Sequence, residues 1–403
     1  MKKSKNLLLI ISIFTLGGIL SSCEKEMVTQ GSDTLSIKKV KISGLSPKEL
    51  LGKSIYFDKI STPNSMACAD CHSPSHGFTG PMAGINLHGA VYRGADAHNF
   101  GNRKPPSAAY ATFSPIFHYD VTEELFVGGN FWDGRATGER LGSPAAEQAL
   151  GPFLNPAEHN VADKKTVLMK IAKEKYASMW NSVWNEPLSY STEEEIDKNY
   201  DRVGLSIAAY EASDEVNQFT SKFDYYLKGE AELTDREMWG LSLFNSEEKG
   251  KCSSCHLSDG DQPLFTDFTF DNLGVPKNPE NPVYNNDPDY VDPGLGGFLL
   301  TSSNPEWQTL AGENMGKQKV PTLRNVGKKP GNGFTKAYMH NGVFKSLKEV
   351  VHFYNTRDVE NWPPPEVSAN VNKDELGNLG LTDEEEDAIV AFLMTLSDGY
   401  NLK

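Results

Sequence analysis

The sequence predicts an all-α protein built from two similar helical modules that follow one another along the chain. A Ser or Thr with Glu three residues later opens an apolar stretch at Ser46, Thr234 and Thr382, and this pattern is typical of helix starts. A pair of cysteines with a histidine directly after it follows the first two of these stretches. Strand signals are weak throughout the chain. Together these observations favour two helical modules over a sheet protein.

The two cysteine motifs have the pattern to which c-type haem is attached. Each thiol would add to one vinyl group of a porphyrin, and the histidine would lie under the iron as its ligand. A redox dithiol or half of a zinc site would also use paired cysteines, but neither requires a histidine at the same offset twice. We therefore expect two covalently bound haem c groups in two cytochrome c-like domains in tandem, with long irregular loops. The residues are Cys68, Cys71 and His72 in the first motif and Cys252, Cys255 and His256 in the second.

The N-terminus has the features of an export signal. Lysines precede an apolar run over residues 7–20 that is too short for an ordinary transmembrane helix. The run ends in Leu20-Ser21-Ser22-Cys23, which resembles the lipobox of bacterial lipoproteins; the alternative is a plain secretory signal with an incidental cysteine. We expect a signal peptide over residues 1–22, a lipid on Cys23 and a polar tether over residues 23–44. The protein would then lie on the periplasmic side of a bacterial membrane, held through its lipid anchor only.

The chain is acidic, with 54 Asp and Glu against 39 Lys and Arg and a formal net charge of −15. This balance argues against nucleic-acid binding, and it leaves no basic patch for anionic lipid. It would suit a basic redox partner, although most acidic surfaces serve only solubility.

The helix predicted after Ser46 has a counterpart after Thr234. Both stretches share the cap, the Glu and a glycine, Gly52 or Gly240, and both lead through an aromatic residue to a cysteine motif. We interpret this likeness as the duplication of one module. The predicted domains are an N-terminal haem domain over residues 45–225 and a C-terminal haem domain over residues 226–403.

Between and after the modules, the sequence predicts further helices and one long loop. Helical spacing recurs over residues 161–184 and 193–223. Residues 275–306 are rich in Pro, Asn, Asp and Gly and predict a surface loop. The helix after Thr382 is the last one, and it is free to pack back on the N-terminal domain.

Further motifs resemble those of the bacterial di-haem cytochrome c peroxidase family, which includes the MauG branch. The likeness runs from residue 45 to about residue 398. It implies reduction of hydrogen peroxide to water at a haem in the N-terminal module, with electrons supplied through the haem of the C-terminal module. The motifs are Phe131-Trp132-Asp133-Gly134-Arg135, Gln148, Asn155-Pro156-Ala157-Glu158, Val320-Pro321-Thr322-Leu323-Arg324-Asn325 and Ala337-Tyr338-Met339-His340-Asn341-Gly342.

The resemblance implies roles for three residues near the first haem. Glu158 stands where the family keeps the acid–base that moves a proton between the peroxide oxygens, and Gln148 would support the same pocket. Burial beside a haem would raise the pKa of such a carboxyl, which suits the task. Trp132 matches the tryptophan between the two haems, where an indole can relay an electron. By residue type alone, Glu158 could equally lie in the first turn of a helix, and Trp132 in the core.

The sixth ligand of the C-terminal haem is where the sequence departs from many peroxidases of the family. At the place of their methionine, counted from His340, the chain has Tyr354. The MauG branch has a tyrosine there, which binds the iron as tyrosinate. Such a ligand stabilises ferric iron more than a thioether does, so the reduction potential should fall. Met315 and Met339 are alternative ligands, and a tyrosine that only packs is a further interpretation.

For the sixth position of the N-terminal haem iron, the sequence leaves two arrangements possible. Some family members cap the iron with a loop histidine, and His88 stands at about that place, with His76 and His98 nearby. In the MauG branch the position is free and faced by a proline, for which Pro152 stands here.

The family also places a calcium ion between its domains. Thr335 matches one carbonyl donor, but Lys104 stands where the family has an asparagine, although Asn102 is close. A lysine ammonium would repel calcium, which argues against the site. Relatives form dimers, so the resemblance also implies a homodimer.

The expected function is that of a cytochrome c peroxidase, which reduces hydrogen peroxide with electrons from a small cytochrome or a similar donor. The alternative is a MauG-like oxidase that uses peroxide to oxidise a protein or an organic substrate. Tyr354 and Pro152 favour this alternative. A third interpretation is a di-haem electron carrier, which would leave Glu158 and Gln148 without a purpose.

Overall fold

Short helices linked by irregular segments make up most of the described chain, which in the computed structural model comprises residues 44–402. The predicted signal peptide, Cys23 and the predicted tether up to residue 43 lie outside the described residues. The helices are α1 Pro47–Phe57, α2 Ala83–Leu87, α3 Pro144–Leu154, α4 Lys164–Ile171, α5 Trp180–Trp184, α6 Glu193–Glu211, α7 Lys222–Leu227, α8 Asp235–Phe244, α9 Val283–Asn286, α10 Gly294–Thr301, α11 Pro305–Thr309, α12 Leu347–Thr356 and α13 Asp383–Met394.

Strands are few and short in this part of the chain. Antiparallel pairing joins β1 to β2 and β3 to β4. The strands are β1 His118–Asp120, β2 Leu125–Val127, β3 Phe270–Asp271 and β4 Gln318–Lys319. The mainly helical fold class is therefore confirmed.

Side-chain capping explains where the longer helices begin. The capping boxes predicted at Ser46, Thr234 and Thr382 are formed, each with the hydroxyl accepting from the backbone of the Glu and the Glu accepting from the cap residue in return. These bonds satisfy backbone donors that the first helical turn leaves free. Similar boxes start α6, α7 and α12.

The first core lies where α1 and α3 pack against α6. A Cβ on Gly52 of α1 would lie only 1.8 Å from the carbonyl oxygen of Ser206, so the two helix backbones touch. Gly204 of α6 approaches the carbonyl of Ala146 in α3 in the same way. Apolar residues such as Val203 fill the space around these contacts.

The second core repeats this arrangement with α8 and α13. A Cβ on Gly240 would lie 1.9 Å from the carbonyl oxygen of Ala388. Phe244 and Phe392 pack edge to face, with ring centroids 5.1 Å apart. Gly52 and Gly240, which match in the sequence, thus have the same role in their helix pairs, as a duplicated module would produce.

The chain after α13 returns to the first half of the molecule. Asp398 accepts hydrogen bonds from the hydroxyl of Tyr110 and the amide of Asn325, each at 2.8 Å. Residues 44–402 belong to one compact unit. The domain boundary expected near residue 225 therefore stays a prediction.

The surface loop predicted over residues 275–306 is wrong in part. Within it, α10 buries Leu295 and Leu299, which pack in one cluster with Phe117 and Phe126. The two leucines are four residues apart and so share one face of a helix, which outweighs the turn-forming composition around them. Among residues 44–402 no helix is long and apolar enough to cross a membrane.

Candidate haem-binding and active site

Two large cavities lie at the two cysteine motifs. The first is lined by Cys68, Cys71 and His72, and the second by Cys252, Cys255 and His256. The empty space, mouths included, is about 1710 Å³ in the first cavity and about 1840 Å³ in the second. Each space adjoins both thiols and the imidazole of its motif, where a covalently attached cofactor would lie.

Each motif folds as one tight turn. A 3₁₀ turn runs over Cys68–Asp70 in the first motif and over Cys252–Ser254 in the second. The backbone N–H of each histidine then donates to the carbonyl of the first cysteine, at 2.9 Å in both motifs. The turn brings the two thiols and the imidazole to one cavity wall.

The two histidines are held in the same tautomer. His72 Nδ1 lies 3.2 Å from the carbonyl oxygen of Phe78, and His256 Nδ1 lies 2.8 Å from that of Phe265. Because a carbonyl only accepts, Nδ1 carries the proton and Nε2 keeps the lone pair that binds a metal. Burial lowers the pKa of His72 to about 4 and also lowers that of His256, which keeps both rings neutral.

The remaining wall groups also fit a haem. The four cysteines are free, and burial raises the pKa of Cys71 and of Cys252 to about 12. The side-chain amide of Gln318 faces the second cavity and is buried without a hydrogen-bond partner among the described residues, as expected where a cofactor supplies the partner. A zinc centre would need further ligands, and no group of three His, Cys, Asp or Glu side chains in residues 44–402 could hold a metal ion.

The first cavity brings together the residues expected there. Gln148 and Pro152, both on α3, line it with Glu158, which follows the helix. Burial raises the pKa of Glu158, although Asn155 donates to its carboxylate at 2.8 Å and Arg135 adds a positive charge. A carboxyl with a raised pKa can both take and give a proton near neutral pH.

Trp132 lines both cavities. Its side chain is only 9% exposed, and Nε1 donates to the carbonyl oxygen of Lys104 at 2.8 Å. On the side of the second cavity its ring lies 6.5 Å from the ring of His340. The indole is therefore fixed in the wall that the two cavities share.

The second cavity is lined by Tyr354 of α12. Burial raises the pKa of the Tyr354 hydroxyl, so a bare cavity would keep it protonated. Met339 also lines this cavity, whereas the sulfur of Met315 packs beside Gly296 of α10. Of the three candidate ligands, the structure brings Tyr354 and Met339 to the second cavity.

Known proteins are similar to this chain in sequence and in fold. A sequence model of the di-haem cytochrome c peroxidases matches residues 46–232. The methylamine utilization protein MauG of Paracoccus denitrificans is 32% identical over 368 residues, which cover 86% of this chain and 88% of MauG. The chain belongs to the di-haem cytochrome c peroxidase family.

Other members of the family are similar over most of their length. The cytochrome-c peroxidase IdrP2 of Denitromonas iodatirespirans is 27% identical over 357 residues, covering 86% of this chain and 80% of IdrP2. The crystal structure of the diheme peroxidase BthA from Burkholderia thailandensis is similar with a TM-score of 0.72 and 31% identity, over 88% of this chain and 89% of BthA. Because the family is di-haem, two c-type haems follow, and the two cysteine motifs are the residues that would hold them.

The resemblance implies either a capping histidine or a facing proline at the first haem. Of these candidates, the structure places only Pro152 in the cavity lining. His88 follows the end of α2 with 63% of its side chain exposed, and its Nδ1 lies 3.1 Å from a carboxylate oxygen of Glu280. His98 is exposed, and His76 packs on Phe334. None of these three histidines is among the cavity-lining residues.

Ammonium groups lie at the place expected for calcium. Lys104 Nζ donates to the carbonyl oxygen of Pro105 at 3.1 Å, and burial lowers its pKa to about 8. Lys336 Nζ donates to the carbonyl oxygen of Asn325 at 2.7 Å. The carbonyl of Thr335 accepts from an asparagine side chain at 3.1 Å. Thr335, whose carbonyl the resemblance assigns to calcium, thus already accepts a hydrogen bond from the protein itself.

The sequence interpretation missed two cavity groups. Gln318 in β4 gave no signal, since its importance depends on burial without a partner. Glu211 at the end of α6 also lines the first cavity. Its position one turn after Ile207, on the apolar face of that helix, was a signal that could have revealed it.

Proposed function

We propose that the protein is a di-haem c-type peroxidase that reduces hydrogen peroxide to water with electrons from an external donor such as a small cytochrome. The observation that carries this proposal is the grouping of Glu158 and Gln148 in the cavity of His72, beside a tryptophan shared with the cavity of His256. An electron carrier would have no use for this polar group.

A haem bound at the first motif would supply an iron that binds peroxide and exchanges electrons with it. His72, with its proton on Nδ1, holds the cofactor from one side through Nε2. Glu158 takes a proton from one peroxide oxygen and returns it to the other, and its raised pKa suits both steps. Gln148 orients the peroxide by hydrogen bonding. The side chain of Pro152 has no atom that can bind iron, so it leaves the position that faces the haem free for peroxide.

Trp132 relays electrons from the second cavity to the first. The donor would deliver them to a haem held by His256, with Tyr354 as the proposed sixth ligand of its iron. In this proposal His88 is not a ligand of the first haem, because 63% of its side chain is exposed. The acidic chain would attract a basic donor. The proposal includes domains over residues 45–225 and 226–403, a homodimer, and a periplasmic location with a lipid on Cys23 as the only membrane attachment.

Steady-state peroxide reduction with a reduced cytochrome tests the proposal. Replacing the acid–base by Glu158→Gln should lower kcat by about 10²–10⁴-fold, the usual contribution of such a group. Both haems should still be attached and reducible in this variant. Equal turnover by the wild type and the Glu158→Gln variant would show that Glu158 has no catalytic role and would contradict the proposal.

A MauG-like oxidase is the second candidate, because Tyr354 lines the second cavity and MauG itself is 32% identical. In this case peroxide would provide the oxidising power for a protein or organic substrate. Spectra of the ferric protein and of its Tyr354→Phe and Tyr354→Met variants test the ligand on which the idea depends. If neither substitution changes the spectrum of the second haem, Tyr354 is not a ligand and the oxidase reading loses its support.

A further inference from the structure

Glu211 is a buried carboxyl of the first cavity for which the proposed mechanism has no use. It ends α6, its residue is 4% exposed, and it lines the cavity with Ile207 one turn earlier. Within residues 44–402 no donor reaches its carboxyl oxygens, and burial alone raises its pKa to about 8. An unpaired carboxylate in such a place is costly, so the protonated form is favoured near neutral pH.

Within the described part of the chain, no positively charged group acts on the Glu211 carboxyl. Burial raises the pKa of each titratable neighbour, and the charge of Glu211 adds to the rise; these neighbours are Tyr56 of α1, Cys68 of the first motif and Tyr210 of α6. Lys53 of α1 is occupied elsewhere, since its Nζ lies 2.5 Å from the carboxylate of the exposed Glu215. The C-terminal end of α6 carries a partial negative charge, which disfavours ionisation further.

Glu158 in the same cavity has a different environment. Its carboxylate accepts a hydrogen bond from Asn155 and lies near Arg135, and both favour ionisation. Burial therefore raises the pKa of both carboxyls in the cavity. Asn155 and Arg135 oppose this rise at Glu158, whereas nothing in the described chain opposes it at Glu211. Glu158 is equipped to exchange a proton with a bound substrate, whereas Glu211 responds to the net charge of the cavity.

We infer that Glu211 is the proton-exchanging carboxyl that offsets the charge of electrons entering and leaving the first cavity, an inference that rests on the proposed peroxidase function. As the donor's electron arrives, the Glu211 carboxylate takes up one proton from solvent, forming an O–H bond. As the electron leaves for peroxide, that bond breaks and the proton returns to solvent. At pH values where Glu211 is ionised before the electron arrives and protonated afterwards, each electron is accompanied by one proton and the net charge of the cavity is unchanged.

The consequence is a reduction potential that depends on pH. Glu211 has one pKa when the first haem is oxidised and a higher one when it is reduced. In the pH interval between these two values, the reduction potential of the first haem falls as pH rises. The steepest possible slope is a tenfold change in the reduction equilibrium constant per pH unit, which is 59 mV per pH unit for one electron. Below this interval the carboxyl stays protonated in both states, and the potential is constant.

The experiment is a redox titration of the holoenzyme from about pH 6 to about pH 9.5, a range that brackets the pKa of Glu211. The first haem is followed by its own ferric EPR signal. Glu211→Gln keeps the shape of the side chain and removes its ionisation. Glu215→Gln is the matched control, because Glu215 is exposed and outside the cavity. Infrared difference spectra of the wild type, in light and heavy water, report whether a carboxyl becomes protonated on reduction.

We expect a falling potential in the wild type and in Glu215→Gln, a flat potential in Glu211→Gln, and loss of the carboxyl C=O band in that variant alone. An unchanged slope in Glu211→Gln overturns the inference, as does a slope that disappears in Glu158→Gln instead. A wild type with no slope and no carboxyl band overturns it even if the variant fails to fold. Because the titration uses no peroxide, these results are independent of whether the protein turns peroxide over.

Discussion

At the scale of single residues, the two cavities surround similar histidines with different chemistry. His72 and His256 share one tautomer and one kind of carbonyl partner. Around the first lie Gln148 and two carboxyls, Glu158 and Glu211; the second has Tyr354 of α12 and carboxyls of its own, namely Asp271, Asp292, Glu366 and Glu375. Carboxyls with raised pKa values suit proton transfer, and a phenol suits the stabilisation of an oxidised iron. The proposal of peroxide chemistry in the first cavity therefore rests on the grouping of Glu158 with Gln148, and not on the presence of carboxyls alone.

Arg135→Leu should move the pH dependence of peroxide reduction upward. Burial raises the pKa of Glu158, and the guanidinium of Arg135 opposes this rise. Without that charge the pKa rises further, so the carboxylate that accepts the peroxide proton forms only at higher pH. The rising limb of kcat/KM, measured over about pH 5 to 9, should shift to higher pH.

The control for this shift is Arg140→Leu. Arg140 is 58% exposed and pairs with Asp201, away from the cavity. Its removal should leave the pH profile in place. Equal shifts in the two variants would mean that general surface charge, and not the environment of Glu158, sets the profile.

Trp132→Phe should slow electron transfer between the two haems and leave peroxide binding unchanged. The substitution keeps an aromatic ring in the shared wall but removes the easily oxidised indole and its hydrogen bond to Lys104. We expect transfer to slow by about tenfold or more, which corresponds to about 1.4 kcal/mol in the barrier. Rapid mixing of the reduced enzyme with peroxide, followed at the absorbance of the second haem, measures the rate. Trp239→Phe, on the exposed side of α8, should transfer at the wild-type rate.

At the scale of secondary-structure elements, two close helix contacts carry the fold. The contact of α1 with α6 fixes one wall of the first cavity, because Ile207 and Glu211 of α6 line that cavity. The contact of α8 with α13 does the same for the second, which Phe244 and Ile389 line. In both pairs a glycine lets one backbone reach the other.

Gly52→Ala and Gly240→Ala should therefore destabilise the protein by about 1–3 kcal/mol each, because an added methyl group forces the helices apart. The thermal unfolding midpoint of the holoenzyme, followed by circular dichroism, should fall in both variants. Gly84→Ala is the control, since no atom lies within 4 Å of its added Cβ and alanine is the better helix former. Midpoints as high as that of Gly84→Ala would contradict the close packing of these helices.

What could be predicted from the sequence depended on how local each element is. The caps at Ser46, Thr234 and Thr382 need only four neighbouring residues, and all three were predicted. The orientation of His88 depends on where α2 ends, and α10 depends on a distant aromatic cluster around Phe117. Gln318 is notable only because tertiary packing leaves it buried without a partner, whereas the place of Glu211 on the apolar face of α6 was a signal that could have been seen in the sequence. Residues that bind through sequence motifs were therefore predictable, and residues defined by burial were not.

At the scale of the whole molecule, a buried ion-pair network ties the walls of the two cavities together. Arg103, which lines the first cavity, donates to Asp133 at 2.6 Å and to both oxygens of Asp292 at 2.6 Å. Asp292 lines the second cavity and is only 3% exposed. Burial would raise the pKa of Asp292, but the hydrogen bonds and charge of Arg103 hold it well below its usual range. This network crosses from one haem site to the other beside Trp132.

Arg103→Met should destabilise the protein by about 3–5 kcal/mol near pH 7, because it leaves the Asp292 carboxylate buried without a cation. Asp133 keeps a partner in Arg135, whose Nη1 lies 2.6 Å away, so the loss falls mainly on Asp292. Arg236→Met is the control. Arg236 is 57% exposed and pairs with Asp387, so its removal should change the free energy of unfolding by only about 0–1 kcal/mol.

The pH dependence of this loss has a definite sign. In the wild type, the lowered pKa of Asp292 contributes stability that is present above the usual pKa of a carboxyl and is lost as pH falls through the lowered value. In Arg103→Met burial is no longer offset, so the pKa of Asp292 rises and protonation relieves the unpaired charge. The difference in unfolding midpoint between the two proteins should therefore narrow from about pH 7 to about pH 5. A difference that stays constant or widens toward acid would show that Arg103 does not hold Asp292 ionised, and that the two cavities are joined by packing alone.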